Sequence, residues 1–546
     1  MSASPPNTKS QSLGRHLALH AILIVLCVGF GAAMSFTRGQ DINFDQLNYH
    51  YYIAYVYETN RLGQDVSPAP IMHSYFSPYI YVPFYWMVQH WPPRLVGLGL
   101  GALHGLNLWL VFIIARLVTP ALPKATGVLV IVAAVVISGA SPMTISELGT
   151  SMADLLISLP VLAGVALLMQ ASFADRGTAR TAAAISLAGA LVGAATSLKL
   201  TGASFAIGLG VASLVGWAGW RHRITAFLAT GLGGVVGFAV GGGAWYLQLW
   251  RRFRNPVFPY YNTVFRSPDY PTDHALFDAH YLPHGVLDAL YYPFLWIRAR
   301  TVTAEVAFRD IRFAMLIVLG AAAIALWPLM RRVSATEHER STPAGRRLLT
   351  FMIVAFCFWI YEWSIQRYLV SLELLIGPAI VVVLRWGGLF DVVRGRALAA
   401  LAVLGAALCV ATVHVPNWGH IGWRQSWYQV EPPPNAAPHP LYFLASQPLG
   451  FIVPYLPPGS SAVGVVNWED MPAWGDTVFL RRIHALLADP QTGPIWAVTA
   501  DPIPDSFRAR MEIYGLKFDG ACQTIKSRPW PITWCPLIRT GAAGHA

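Results

Sequence analysis

The chain has 546 residues, of which 55% are hydrophobic and only 12% charged, with a formal net charge of +11. That balance excludes a soluble globular protein, because apolar runs of about twenty residues, the length a helix needs to cross a bilayer, fill most of the chain. Nor does the positive charge indicate nucleic-acid binding: the basic residues sit in short turns between apolar runs, as they do in cytoplasmic loops.

Lys9 and Arg15 precede an apolar run over residues 17–36. It resembles a signal sequence, but it is long and lacks a small-residue cleavage site, so it reads as a retained first span with its N-terminus in the cytoplasm. Residues 37–93 then read as a first periplasmic loop with interfacial helices. It opens on Arg38-Gly-Gln-Asp-Ile-Asn-Phe-Asp-Gln-Leu-Asn-Tyr-His-Tyr-Tyr. Asp41 and Asp45 lie four apart and would share one face of a helix. Two acids beside a membrane surface suit a general base, a metal ligand or a group orienting a polar substrate. The plainer reading is a solvated loop with a capping Asp. The stretch from Ser74 to Met87 is apolar but short and rich in Tyr and Trp, a composition that settles at headgroup level.

Residues 94–413 hold the remaining spans, at about 95–117, 127–138, 155–170 and 182–197, a run ending at Trp217, then about 226–249, 311–330, 348–362, 369–384 and 397–413. That makes about eleven spans, with boundaries good to a few residues. The turns holding Arg116 and Lys124, Arg176 and Arg180, Arg221 and Arg223, Arg331 to Arg347, and Arg385 to Arg396 are all basic and would be cytoplasmic. The polar interruption 139–154 contains Glu147, read as a solvated loop acid, and Asp154, which either lines a site or caps the fourth span. Lys199 ends the fifth span on the outer side. A second outer loop, 251–310, begins with Arg251, Arg252 and Arg254; basic residues on that side call for a reason, such as an anionic substrate.

Residues 414–546 change character. A linker rich in Pro, Trp and Asn covers 416–440. Short strands are expected at 462–466 and 495–499, amphipathic helices at 477–487 and 506–514, and a closing strand pair at 522–525 and 532–538. Together they form a small α/β domain of about a hundred residues, without a glycine-rich phosphate loop. Cys27, Cys357 and Cys409 lie in apolar runs as small core residues. Cys522 and Cys535 lack zinc-ligand spacing, and in an outward-facing domain they are expected to form a disulfide.

In order and spacing, residues 15–220 resemble the GT-C superfamily of membrane glycosyltransferases, particularly the lipid A aminoarabinose transferases and protein O-mannosyltransferases. The resemblance rests on Asp45-Gln-Leu-Asn-Tyr49 after the first span and Pro78-Tyr-Ile-Tyr-Val-Pro-Phe-Tyr-Trp86. It continues through Arg94 opening the second span, Asp154-Leu-Leu opening the fourth, and Leu198-Lys-Leu-Thr-Gly202 ending the fifth. One departure is Gln46, where the family often carries Glu. The resemblance implies an α-helical polytopic membrane protein, GT-C-like, with a C-terminal α/β periplasmic domain. It implies residence in a bacterial inner membrane and partners that include a polyprenyl-phosphate sugar donor, an envelope acceptor and the bilayer.

Asp45 is then the expected catalytic base, with Asp154 and Asp41 as further site acids. Lys199, with Arg251 and Arg367 behind it, would hold the donor phosphate. Tyr49 and His50 are either substrate contacts or structural rings. No convergent ligand set can be assembled from the sequence, so a divalent metal stays open. The rival classes are a transporter or flippase of lipid-linked saccharide, and a structural or sensor protein whose outer domain binds a partner. Against the transporter stand the absence of an internal repeat and the gathering of acids at one face rather than midspan.

Overall fold

The structure, a computed structural model, describes residues 8–540 except 274, 275, 277, 334–340, 432–437, 466–475, 501 and 504. Much of the expected basic turn between Arg331 and Arg347 therefore lies outside the described residues. Seven helices are long and apolar enough to cross a membrane: Leu17–Arg38, Pro93–Val118, Thr178–Leu198, Trp220–Phe253, Arg312–Met330, Pro343–Glu362 and Gly395–Thr412. The pair Gln366–Glu373 and Ile376–Trp386, bent by 53°, makes an eighth if taken as one span.

The expected runs at 127–138, 155–170 and the one ending at Trp217 fall on the shorter apolar helices Lys124–Gly139, Asp154–Gln170 and Leu200–Ala212. A helix of sixteen residues rises only about 24 Å, short of a hydrocarbon core of about 30 Å. The chain is thus a multi-pass helical membrane protein, but helix length and composition do not establish about eleven spans. One boundary is also corrected. Arg251 and Arg252 lie in the last turn of Trp220–Phe253 rather than in a loop. Cationic side chains suit a helix C-terminus, and the helix stops only at Arg254, whose φ of +58° leads into Asn255-Pro256, a step that disfavours further helix.

The chain divides into two compact units. The first comprises Met1–Arg38, Gly97–Gly241 and Ala279–Trp418. Within it, two pairs of glycines four residues apart interlock. A Cβ added at Gly189 would meet the Thr230 carbonyl at 2.1 Å, and one at Gly237 would meet that of Ala190 at 1.9 Å. Gly193 and Gly233 are equally tight. Small residues at this spacing let helix backbones approach closely where apolar packing alone gives little preference.

The same unit holds a buried ionic knot. Arg312, 1% exposed, binds Asp310 through Nε at 2.8 Å and Nη2 at 2.5 Å. It also reaches Glu373 Oε2 at 3.3 Å and donates to the carbonyls of Ile137, Ser138 and Glu373. Ser141 and Gln366 donate to the Glu373 carboxylate in turn. Three stretches of chain, 137–141, 310–312 and 366–373, meet in this knot.

The second unit comprises Gly39–Val96, Gly242–Asp278 and Gly419–Ala546. Strand β1 (Gln40–Asp41) pairs antiparallel with β2 (His420–Ile421). The main sheet contains β3 (Leu441–Leu444), β4 (Ser461–Gly464), β5 (Ile495–Thr499), β6 (Leu516–Phe518), β7 (Gln523–Ile525) and β8 (Ile532–Arg539). β3 runs parallel to β4 and β5, and β8 runs antiparallel to β5, β6 and β7. Helices Val478–Ala488 and Asp505–Ile513 fall where amphipathic ones are expected. β3 and β6 are absent from the sequence reading. Every residue of β3 is buried, so Leu-Tyr-Phe-Leu shows no alternation to mark it as a strand.

The core of this unit draws on all three of its segments. Val66 and Tyr75, Trp245, Phe253 and Phe258, and Phe443, Val463 and Phe479 pack as one cluster. Beside it, the Asn255-Pro-Val-Phe-Pro-Tyr-Tyr-Asn262 stretch ties its own loop. Asn255 donates to the Tyr260 carbonyl, and Asn262 to those of Ser267 and Tyr270.

Cys522 and Cys535 are joined as a disulfide with Cα atoms 4.2 Å apart. Closing a loop of this length contributes about 2–4 kcal/mol in the chain-entropy picture. Mass spectrometry of non-reduced peptides from protein in its native envelope should find the two cysteines linked, and two free thiols there would refute the bridge.

Candidate active site

In the first unit, two helix ends bring a carboxylate and an ammonium together. Asp154 is the first residue of the helix Asp154–Gln170, where a negative charge meets the positive end of the helix dipole. Lys199 follows the last residue of Thr178–Leu198 in extended conformation, so its side chain leaves the helix axis. Its Nζ donates to both Asp154 oxygens, at 2.6 and 2.7 Å, with the pair almost wholly buried. The ammonium also lies 4.5 Å from the ring centre of Tyr368. Arg367 stands over the same ring, and over Trp418 at 5.4 Å, with Glu305 Oε1 3.6 Å from its Nη2. Lys199, Arg367 and Asp154 thus form one cluster of charge.

Glu147 belongs with them. The sequence predicts a solvated loop acid, but its side chain is fully buried, and neither carboxyl oxygen hydrogen-bonds to a described residue. A short polar stretch between two apolar runs looks like a loop in sequence; here it folds as the helix Pro142–Glu147, turned inward. Burial pushes the Glu147 carboxyl well above the usual carboxylate range, and the charge of Asp154 pushes it further, against the opposing pull of Lys199 and Arg367. A raised value favours the fold below the ordinary carboxylate pKa and costs stability as pH rises through the folded one. Glu147 thus carries a raised pKa beside an ion pair, a pattern typical of functional sites.

In the second unit, the opening motif does not form one helix. Asp41 lies in β1, and Asp45 immediately precedes a π-helix, Gln46–His50, so the two acids do not share a helical face. Asp41 is an anchor: its carboxylate accepts from the backbone and side-chain amides of Asn43 and from Gln46 Nε2 at 2.9 Å. Gln46 also accepts from Trp427 Nε1 at 3.2 Å. An amide can donate one way and accept the other, which a glutamate at this position could not do. Asp45 is 9% exposed and makes no side-chain cap to the helix it precedes. π-helical turns are rare and recur at functional sites.

Tyr49 and His50 are 4% and 1% exposed. Tyr49 stacks on His73 at 4.6 Å and His50 on Tyr81 at 4.2 Å, so both rings stand in an aromatic cluster. Arg251 is exposed at the end of its helix, and it belongs to the second unit, whereas Lys199 and Arg367 belong to the first. Among the described residues, no three His, Cys, Asp or Glu side chains gather as metal ligands.

No protein family matches the chain by sequence profile, and no curated protein matches it by sequence. By structure, the chain is similar to the ArnT of Cupriavidus metallidurans bound to undecaprenyl phosphate, at 14% identity and a TM-score of 0.42, over 94% of this chain and 97% of that one. The apo form of the same protein gives 14% and 0.43, over 99% and 100%. The archaeal oligosaccharyltransferase AglB of Archaeoglobus fulgidus, in complex with an inhibitory peptide and a dolichol-phosphate, gives 12% and 0.38, over 78% and 62%. At these identities and scores, the likeness decides neither donor nor acceptor.

Proposed function

We propose that the chain is an inverting membrane glycosyltransferase of GT-C type. It moves a monosaccharide from a polyprenyl phosphate to an acceptor of the cell envelope, at the periplasmic face of a bacterial inner membrane. The observation that carries this reading is the buried Asp154–Lys199 pair, with Arg367 and Tyr368 beside it. It falls on two of the motif positions that the sequence shares with that superfamily. In this reading Asp45 takes the proton of the acceptor hydroxyl as its oxygen attacks the anomeric carbon. The bond from that carbon to the phosphate oxygen breaks, and the polyprenyl phosphate leaves with its charge held by cations. Lys199 supplies the charge. Two of its three N–H donors go to Asp154, which fixes the ammonium and leaves the third for a phosphate oxygen. Arg251 and Arg367 are assigned supporting contacts to the donor, Asp154 the positioning of Lys199, and Tyr49 and His50 the wall behind Asp45.

Lys199→Ala should weaken donor binding and turnover together, about tenfold or more for one charge-assisted hydrogen bond. Because this change also strands a buried carboxylate, a second variant, Asp154→Asn with Lys199→Met, separates the two effects. It should fold normally and still bind a polyprenyl-phosphate sugar poorly. Donor binding at the parental level in that variant would remove Lys199 from the phosphate site.

A further inference from the structure

The second unit contains an open cleft of about 560 Å³ whose lining includes Arg94, Trp423, Arg424, Gln425 and Arg528. No acidic residue lines it, and among the described residues no carboxylate pairs with these three guanidinium groups. The three cations come from three separate stretches of chain, each fixed at its backbone. Arg94 is the second residue of the helix Pro93–Val118, at its positive end. The Arg424 N–H donates to Gln40 Oε1 at 3.3 Å, and Gln40 Nε2 holds the Trp427 carbonyl at 3.0 Å, so one side chain pins this segment at two points. Arg528 exchanges backbone hydrogen bonds with Gln429 and sits within the loop closed by Cys522 and Cys535.

Three like charges held around one cleft repel each other, and a polyvalent anion between them relieves that repulsion. Guanidinium groups match phosphate oxygens in pairs, which makes phosphate the anion this arrangement fits best. The place of the cleft narrows the source. Arg94 opens an apolar helix long enough to cross a membrane, which puts it at headgroup depth, where the phosphates of lipids lie.

We propose that this cleft binds the phosphate of an anionic lipid at the bilayer surface. The site shares no residue with the Asp154–Lys199 cluster, and it does not depend on the transferase reading, because binding is measured without turnover. The test uses the full chain, with Gln425 replaced by the photo-crosslinker benzoylphenylalanine, in nanodiscs of phosphatidylcholine with or without phosphatidic acid. Illumination should give an adduct with phosphatidic acid and little with phosphatidylcholine. Adding Arg424→Gln and Arg528→Gln should cut the adduct about tenfold or more, the loss expected for charge-assisted contacts. Arg481→Gln, on the exposed side of the helix Val478–Ala488, should leave it unchanged.

Equal labelling of both lipids, or an undiminished adduct in the double variant, overturns the proposal. An intact Cys522–Cys535 link shows that the double variant is folded; without that link, the lipid selectivity of the parent decides alone. Inorganic phosphate added as competitor separates the two sources. Displacement at millimolar concentration supports a site that reads phosphate by itself, and resistance supports one that needs the lipid.

Discussion

Asp45→Asn should lower turnover about 10²–10⁴-fold, the usual loss when a general base is removed, while donor binding and expression stay near the parental level. The asparagine keeps the shape of the side chain and removes only its ability to take a proton. The cap of the π-helix does not depend on that charge, since Asp45 makes no side-chain cap to it. The measurement is a purified-enzyme assay with a polyprenyl-phosphate sugar, with donor affinity determined separately. Asp41→Asn provides the contrast. Asp41 accepts from Asn43 and Gln46, so its loss should act on folding of the first loop rather than on the chemical step. Near-parental turnover by Asp45→Asn would end its assignment as the base.

Arg312→Met should cost about 3–5 kcal/mol, because it leaves Asp310 and Glu373 as buried charges without their partner. Against a stability of about 5–15 kcal/mol for a typical fold, that is enough to deplete the folded protein in the membrane. The effect should appear as lost monodispersity in size-exclusion chromatography and a lowered thermal transition. Adding Asp310→Asn and Glu373→Gln should restore much of the loss, since no charge is then stranded. A single variant that melts like the parent would show that the knot does not hold its three segments together.

These two groups of residues differ in how far the sequence reveals them. Asp154 and Lys199 stand at the ends of apolar runs, where a charge is conspicuous and its position on the helix end follows from the run itself. Their mutual contact does not follow, because 45 residues separate them and only the packing of two helices closes that distance. Arg312 stands at the edge of an apolar run, where it passes for an ordinary boundary charge, and Glu373 lies within the first turns of another, with no local sign of its partner. Their burial depends on 61 residues of intervening chain. The burial of Glu147 is hidden for a related reason: whether a short polar stretch faces water or protein is a property of its neighbours.

In the C-terminal region, β5 and β8 announce themselves by composition. β3, uniformly apolar and only four residues long, is swallowed by the proline-rich segment before it. The pairing of β1 with β2 left no local trace, since its two strands are two residues each and nothing in either calls for the other.

That last pairing bears on how the protein is made. Gln40 holds Trp427 across 387 positions of sequence, and Gln46 holds the same residue across 381. A ribosome adding about 5–20 residues per second needs roughly 20–80 s between emitting one side of this seam and the other. For that interval the segment bearing Asp41 and Asp45 is already synthesised, while the strand and indole that seal it do not yet exist. A chain truncated before His420 would never acquire them. Nascent chains arrested on either side of that point should therefore differ sharply in the protease sensitivity of residues 39–58.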